Sequence, residues 1–100
     1  MADDFDATSL DDTIHGKLRL GIMAYLSAVS SATFGELKDK TAASDGNLSV
    51  HLRKLEEAGY VAIEKRFVDR KPQTRASLTE TGRDAWLAYL DQLRGLLGES

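Results

Sequence analysis

The stretch from Ser44 to Leu78 constrains this chain more than any other part of it. Ser44 is a helix-capping residue, and behind it Leu48, Leu52, Leu55 and Gly59 fall on one side of a helix. Gly46, Val50, Arg53, Lys54 and Glu57 fall on the other, so the first set packs and the second faces outward. Gly59 stops the helix, and Tyr60 to Val68 alternates as a strand with Val61, Ile63 and Phe67 on one side. The segment Asp69-Arg-Lys-Pro-Gln73, which holds the only proline, turns the chain, and Thr74 to Leu78 returns it. Pro72 is expected at the tip, where its missing N–H costs no ladder bond. A capped helix, a glycine stop and a hairpin with a basic turn thus form one unit.

The flanking elements follow from the same signals. Residues 1–10 are acidic and nearly devoid of apolar spacing, and are read as a flexible tail ahead of one domain over 11–100. A first helix is expected from a cap at Asp11 or Asp12, with Ile14, Leu18, Ile22, Tyr25, Leu26 and Val29 on its core stripe. Leu20 and Met23, with the small Gly16 and Ser27, lie on a different side, and a second apolar face wants a second partner. Thr33 can cap a short helix from Phe34 to about Lys40, with Glu36 supporting the cap and Phe34 and Leu37 as anchors. Thr41-Ala42-Ala43 is then a turn. Thr79-Glu80 opens a last helix to about Leu97, in which Trp86, Tyr89, Leu93 and Leu96 are spaced like a coiled-coil seam. Trp86 and the tyrosines are read as packing residues rather than a ligand pocket, because aromatics at helical spacing usually pack. Leu20, Met23, Trp86, Tyr89, Leu90, Leu93, Leu96 and Leu97 together would form a self-complementary dimer face.

Composition narrows the function. One hundred residues at 42% hydrophobic suit a single domain that a dimer partner would help to stabilise. The absence of cysteine removes disulfides, thiol catalysis and cysteine-based metal sites, and suits a reducing cytoplasm. No apolar run approaches the roughly 18–20 residues of a membrane span, and the start is acidic where a signal peptide would be basic. A soluble, cytoplasmic protein is expected. His15 and His51 are too few and too far apart to suggest a metal site by spacing. No Gly-x-Ser-x-Gly, no phosphate-binding glycine loop and no carboxylate pair in apolar surroundings occurs, so neither an enzyme nor a cofactor is expected.

The formal charge of −3 argues at first against a polyanionic partner, but its distribution reverses that reading. Asp3, Asp4, Asp6, Asp11 and Asp12 precede the first basic residue, whereas Lys65, Arg66, Arg70, Lys71 and Arg75 face only Asp69 in the hairpin. An outward helix face followed by a basic hairpin matches a helix in the DNA major groove with the hairpin on an adjacent groove or on phosphates. Asn47, Ser49, Val50 and Lys54 are the candidates for base contact, Arg53 and Lys54 for phosphate, and Ser44 and His51 for phosphate or structural roles. Arg66, Arg70, Lys71, Gln73 and Arg75 supply donors in the hairpin. The bland alternative, a merely solvated helix face, is outweighed by the basic hairpin at the right distance. Asp45 has two readings, a helix cap or an acceptor for a cytosine amino group.

The run Asp45-Gly-Asn-Leu-Ser-Val-His-Leu-Arg-Lys-Leu-Glu-Glu-Ala-Gly-Tyr-Val61, with Lys71-Pro-Gln-Thr-Arg75 and Ser77-Leu-Thr-Glu-Thr-Gly82, closely resembles the small winged helix transcriptional regulators related to the MarR and ArsR families. The resemblance runs from about Asp11 to Leu97. It implies a mainly α fold with a small β-hairpin (α+β): a winged helix-turn-helix with three core helices, a two-stranded wing and a C-terminal dimerisation helix. It implies a homodimer, joined through its first and last helices, that binds operator DNA and usually represses or modulates transcription; two recognition helices so paired would read successive major grooves of a palindrome in double-stranded DNA. By position it suggests Asn47, Ser49, Val50, His51 and Arg53 for the recognition helix and Arg70 to Arg75 for the wing. The cysteines with which many ArsR relatives sense metals are lacking, so metal sensing is not carried over, and the chain is short for a MarR effector pocket. The rival reading is a winged helix used only for protein interaction, favoured slightly by the acidic total and by Asp45.

Overall fold

The apolar spacings become four helices and a small sheet in the computed structural model, which describes residues 10–98. The order is α1 (Lys17–Ala28), β1 (Ala32–Thr33), α2 (Phe34–Thr41), α3 (Asp45–Glu57), β2 (Val61–Val68), β3 (Lys71–Leu78) and α4 (Glu80–Leu96). The strands form one antiparallel sheet in the order β1-β3-β2. Ile22, Met23 and Leu26 of α1, Leu37 of α2, Leu48, Leu52 and Leu55 of α3, Val61 and Ala76 of the sheet, and Trp86 and Tyr89 of α4 share one core. Each such leucine, isoleucine or aromatic contributes roughly 1.5–3 kcal/mol by leaving water. The acidic tail expected over residues 1–10 lies outside the described residues up to position 9, and Leu10 is buried in the core.

Local chemistry sets the element ends. Thr33 and Glu36 form a reciprocal capping box: the Glu36 N–H donates to Thr33 Oγ1 at 3.1 Å and the Thr33 N–H to Glu36 Oε1 at 3.2 Å. Ser44 Oγ accepts from the Asn47 N–H at 3.2 Å, and Thr79 Oγ1 from the Gly82 N–H at 2.9 Å. Gly59, at φ 81°, closes α3 as expected. The Tyr60 N–H donates to the Leu55 carbonyl at 3.0 Å and the Gly59 N–H to Glu56 at 2.9 Å, the two bonds of a Schellman motif.

Four expectations need correction. Helix α1 begins at Lys17 rather than at Asp11 or Asp12, because Gly16 adopts φ 153°, which interrupts the helix. Asp11 instead caps a separate turn, accepting from the Thr13 N–H at Oδ1 (2.8 Å) and from Ile14 and His15 at its carbonyl, and this turn still buries Ile14. The sheet has a third strand, since Ala32 and Thr33 pair with Ala76 and Arg75. The hairpin turn is only Asp69-Arg70, with φ of 52° and 67°, the signature of a type I′ turn. Pro72 therefore lies in β3 opposite Phe67 rather than at the tip, at a position whose nitrogen a two-residue turn aims away from β2. Phe67 shares one face of β2 with Val61 and Ile63 as expected, but at the far end of the strand it is exposed.

Candidate nucleic-acid interface

The leucine stripe of α3 fixes which residues that helix can present. With Leu48, Leu52 and Leu55 in the core, Asn47, Ser49, Val50, Arg53 and Lys54 all stand exposed on the opposite side. Val50 keeps 47% of its surface, an apolar side chain of a size to meet a thymine methyl. The Ser44 hydroxyl is occupied by its cap, although the residue remains exposed. Asp45 pairs with Lys38 of α2, Nζ to Oδ1 at 2.7 Å, so the N-terminus of α3 carries a bound carboxylate rather than a free one.

His51 does not point freely outward. An Arg19 Nη1 N–H donates to His51 Nδ1 at 3.0 Å, because guanidinium has no acceptor to offer. Arg19 is itself anchored by its Nε–H on the Thr13 carbonyl at 2.6 Å and by Nη2 on the Asp12 carbonyl at 3.3 Å. Burial, then the positive charges of Arg19 and Lys54, hold the His51 imidazolium below its usual pKa. Its neutral ring has Nδ1 occupied, which leaves Nε2 as the N–H donor.

Strand alternation divides the wing into two faces. Val61, Ile63, Lys65 and Phe67 share a face with Leu78, Ala76, Thr74 and Pro72; Ala62, Glu64, Arg66 and Val68 share the other with Ser77, Arg75, Gln73 and Lys71. The first face walls a cleft of about 530 Å³ together with α3, lined by Phe34, Ser49, Leu52, Arg53, Glu56, Ile63, Lys65 and Thr74. The cleft brings Ser49 and Arg53 of the expected site beside Lys65, a residue not among the expected contacts. The signal was available, since alternation from Val61 and Ile63 reaches Lys65 directly.

The other wing residues expected in the site fall elsewhere. Arg66, Lys71, Gln73 and Arg75 occupy the face turned away from the cleft, and Arg70 sits in the turn. Arg66 pairs with Glu64 on the same face. Arg75 is held back: its Nη2 and Nε donate to Ser31 Oγ at 2.9 and 3.2 Å, and its Nη1 donates to Gln73 Oε1 at 3.1 Å. Its assignment as a free wing donor is corrected by these bonds, which tie β3 to the residue just before β1.

The expected dimer seam is also rotated. Met23, Trp86 and Tyr89 are buried within the protomer, with Trp86 stacked on Tyr89 at 6.0 Å between ring centroids, so these three cannot offer side chains to a second copy. The large ring of Trp86 fills its own chain's core instead. The apolar surface of α4 left outside is Leu87 at 58% and Leu97 at 69%, with Leu90, Leu93, Leu96 and the α1 residue Leu20 half-buried beside it.

Among the described residues no group of three or more His, Cys, Asp or Glu side chains could hold a metal ion, and no helix is long and apolar enough to cross a membrane.

Residues 18–97 match the winged helix DNA-binding domain family. The chain is 36% identical to an uncharacterised protein of Methanocaldococcus jannaschii, covering 76% of this chain and 83% of the relative. A transcriptional regulator homologue from Pyrococcus horikoshii superposes with a TM-score of 0.81 at 30% identity, covering 86% of this chain and 85% of that one. A MarR family regulator from Silicibacter pomeroyi shares the fold, with a TM-score of 0.65 at 23% identity over 82% of this chain and 54% of its own. The α+β winged helix architecture expected from the sequence is borne out, and regulators of the MarR and ArsR families share this fold. So is the non-enzymatic character, since the family is a DNA-binding class. The chain belongs to the winged helix DNA-binding domain family.

Proposed function

We propose that the chain is a homodimeric transcriptional repressor that recognises a palindromic operator in double-stranded DNA. The observation that carries this reading is the joint presentation of Asn47, Ser49, Val50, Arg53 and Lys54 on α3 beside Lys65 and Thr74 across the cleft. A helix fits the major groove, and a cleft flanked by two cations accommodates the phosphate ridge between that groove and the next. Asn47 and Val50 read base edges, Arg53 and Lys65 hold the backbone, and Arg70 at the turn meets the adjacent minor groove. His51 contributes a neutral N–H through Nε2. The protein works in the cytoplasm and represses by occupying its operator.

The two-fold site requires two copies. Leu87 and Leu90 of α4 and Leu97 at its C-cap, with Leu93, Leu96 and Leu20 at the margin, supply the apolar surface for an isologous contact. Two α3 helices set about 34 Å apart then enter successive major grooves on one side of the duplex. The Asp45–Lys38 pair offsets the charge of Asp45, which supports this reading over a purely protein-binding winged helix.

Selection of sites from a random duplex pool, followed by titration at low and physiological salt, tests the reading. Enrichment of a palindrome whose advantage over a scrambled duplex survives at physiological salt is the expected result. Binding that is nonspecific and lost with salt would refute a specific operator.

A further inference from the structure

The most exposed large apolar side chain of the described residues is not on the proposed dimer helix but at the wing tip: Phe67, at 77%. It stands opposite Pro72, one residue pair back from the pair that closes the Asp69-Arg70 turn. Alternation along β2 puts it on the face that Ile63 and Lys65 share, the face that walls the cleft with α3 nearer the base of the wing. Arg70 and Lys71 adjoin it in the turn and in β3, and Arg66 precedes it in β2. A tip built only for solubility would carry a polar residue here, since a bare phenyl ring costs hydration free energy that its neighbours do not recover.

Resting on the DNA-binding reading above, we propose that Phe67 is an apolar minor-groove contact. Its ring, backed by Pro72, packs along the deoxyribose walls of the groove while Lys65 and Arg70 hold the flanking phosphates. Charge selects the occupant: Lys65 shares the face of the ring and Arg70 sits in the adjoining turn, while Arg66 and Lys71 on the opposite face add to the positive charge of the tip against Asp69 and a Glu64 already paired with Arg66. A cationic rim around an apolar centre fits a polyanion with an apolar interior wall. The minor groove, about 6 Å wide, admits one ring edge-on, and apolar side chains are a recurrent means of engaging it. A protein partner is a poorer fit, because one ring and one proline fall far short of the roughly 1,200–2,000 Å² of a stable interface. The type I′ turn, held at two positive φ values, presents the ring without a floppy loop to order.

The test compares Phe67→Ser and Phe67→Leu with Arg53→Ala on the selected duplex over a salt series. Phe67→Ser is expected to weaken binding about tenfold at every salt concentration without changing the salt slope, because an apolar contact releases no counterions. Phe67→Leu should keep affinity near wild type, and thermal melts of both variants should match it, since the ring is outside the core. Separately, Phe67→Trp places an indole at the tip, and DNA should shield it from acrylamide, against the constant background of buried Trp86. Wild-type affinity in Phe67→Ser while Arg53→Ala loses affinity would overturn the role of Phe67 and leave the DNA-binding reading intact. Weak binding by wild type itself would instead refute that parent reading. Shielding of the indole that grows with protein concentration and needs no DNA would make the tip a protein contact, and would also overturn the proposal.

Discussion

Gly82 should respond to alanine with the opposite sign from an ordinary helical glycine. It is the third residue of α4, where replacing glycine by alanine normally stabilises by about 1 kcal/mol through backbone entropy. Here a Cβ would lie 1.9 Å from the Tyr60 carbonyl oxygen, 2.7 Å from its carbon and 2.9 Å from Tyr60 Cα. Relief to the 3.4 Å of ordinary contact cannot come from a side-chain rotamer, because all three of these atoms belong to the Tyr60 backbone. Moving α4 away from Tyr60 stretches the bond from the Thr79 N–H to the Tyr60 carbonyl, 3.0 Å long, and the 2.6 Å bond from the Thr79 hydroxyl to the Gly59 carbonyl. Losing one of these costs about 1 kcal/mol, and the overpacking a further 1–3 kcal/mol or so. After the helix-propensity gain is subtracted, Gly82→Ala should destabilise by about 1–3 kcal/mol. Gly95→Ala, in the same helix with nothing within 4 Å of its Cβ, should be neutral or stabilise by up to about 1 kcal/mol. Urea unfolding followed by circular dichroism, at matched protein concentration, measures both. A Gly82→Ala variant as stable as Gly95→Ala would refute the close approach of α4 to Tyr60.

Four further outcomes follow from the same geometry. Arg53→Ala should cost about 1–3 kcal/mol of operator affinity, and Lys65→Ala should reduce the salt slope by about one while leaving sequence preference unchanged; filter binding at several salt concentrations reads both. Leu87→Glu combined with Leu97→Glu should yield folded monomers in sedimentation, because both side chains lie outside the protomer core, and dimers surviving that change would exclude this face. The Tyr60 hydroxyl donates to Asp11 Oδ2 at 2.6 Å, and this bond, with burial and the Asp11 charge, raises its pKa to about 12. A raised pKa stabilises the folded state fully below pH 10 and is lost as pH rises towards 12, so wild type should lose its stability margin over Tyr60→Phe across that window in pH-dependent unfolding.

What the sequence made legible was local. Ser44, Thr33 and Thr79 cap because a side-chain oxygen two or three residues ahead of a free N–H suffices, and Gly59 ends α3 through its own dihedral. The leucines of α3 are read correctly because one helix face needs only one core. What stayed hidden depended on partners distant in the chain. Strand β1 is two residues long and exists because β3 passes beside it. With β1 hidden, the capture of Arg75 by Ser31 was hidden too. In α4, periodicity defines a stripe of Trp86, Tyr89, Leu93 and Leu96, but not whether its own chain or a second copy covers it; the protomer's core claims Trp86 and Tyr89. The turn misled through composition, since Asp69-Arg70 lacks the glycine or asparagine that usually marks a type I′ turn, and Pro72 drew the expected tip two residues too late.

Tyr60 explains how the separate parts can act as one body. Its N–H closes α3 on Leu55, its carbonyl receives Thr79 at the start of α4, its hydroxyl holds the Asp11 turn, and its backbone abuts Gly82. The next residue begins β2, so the wing starts from the same point. The Asp11 turn in turn meets α4 through the 3.0 Å contact of His15 Nδ1 with Tyr89 Oη, and meets α3 through Arg19 and His51. Any shift of α4 relative to α3 must therefore strain several short bonds at once. An interaction built on α4 thereby constrains where α3 and the wing can lie, which is the mechanical requirement for reading two half-sites at a fixed separation.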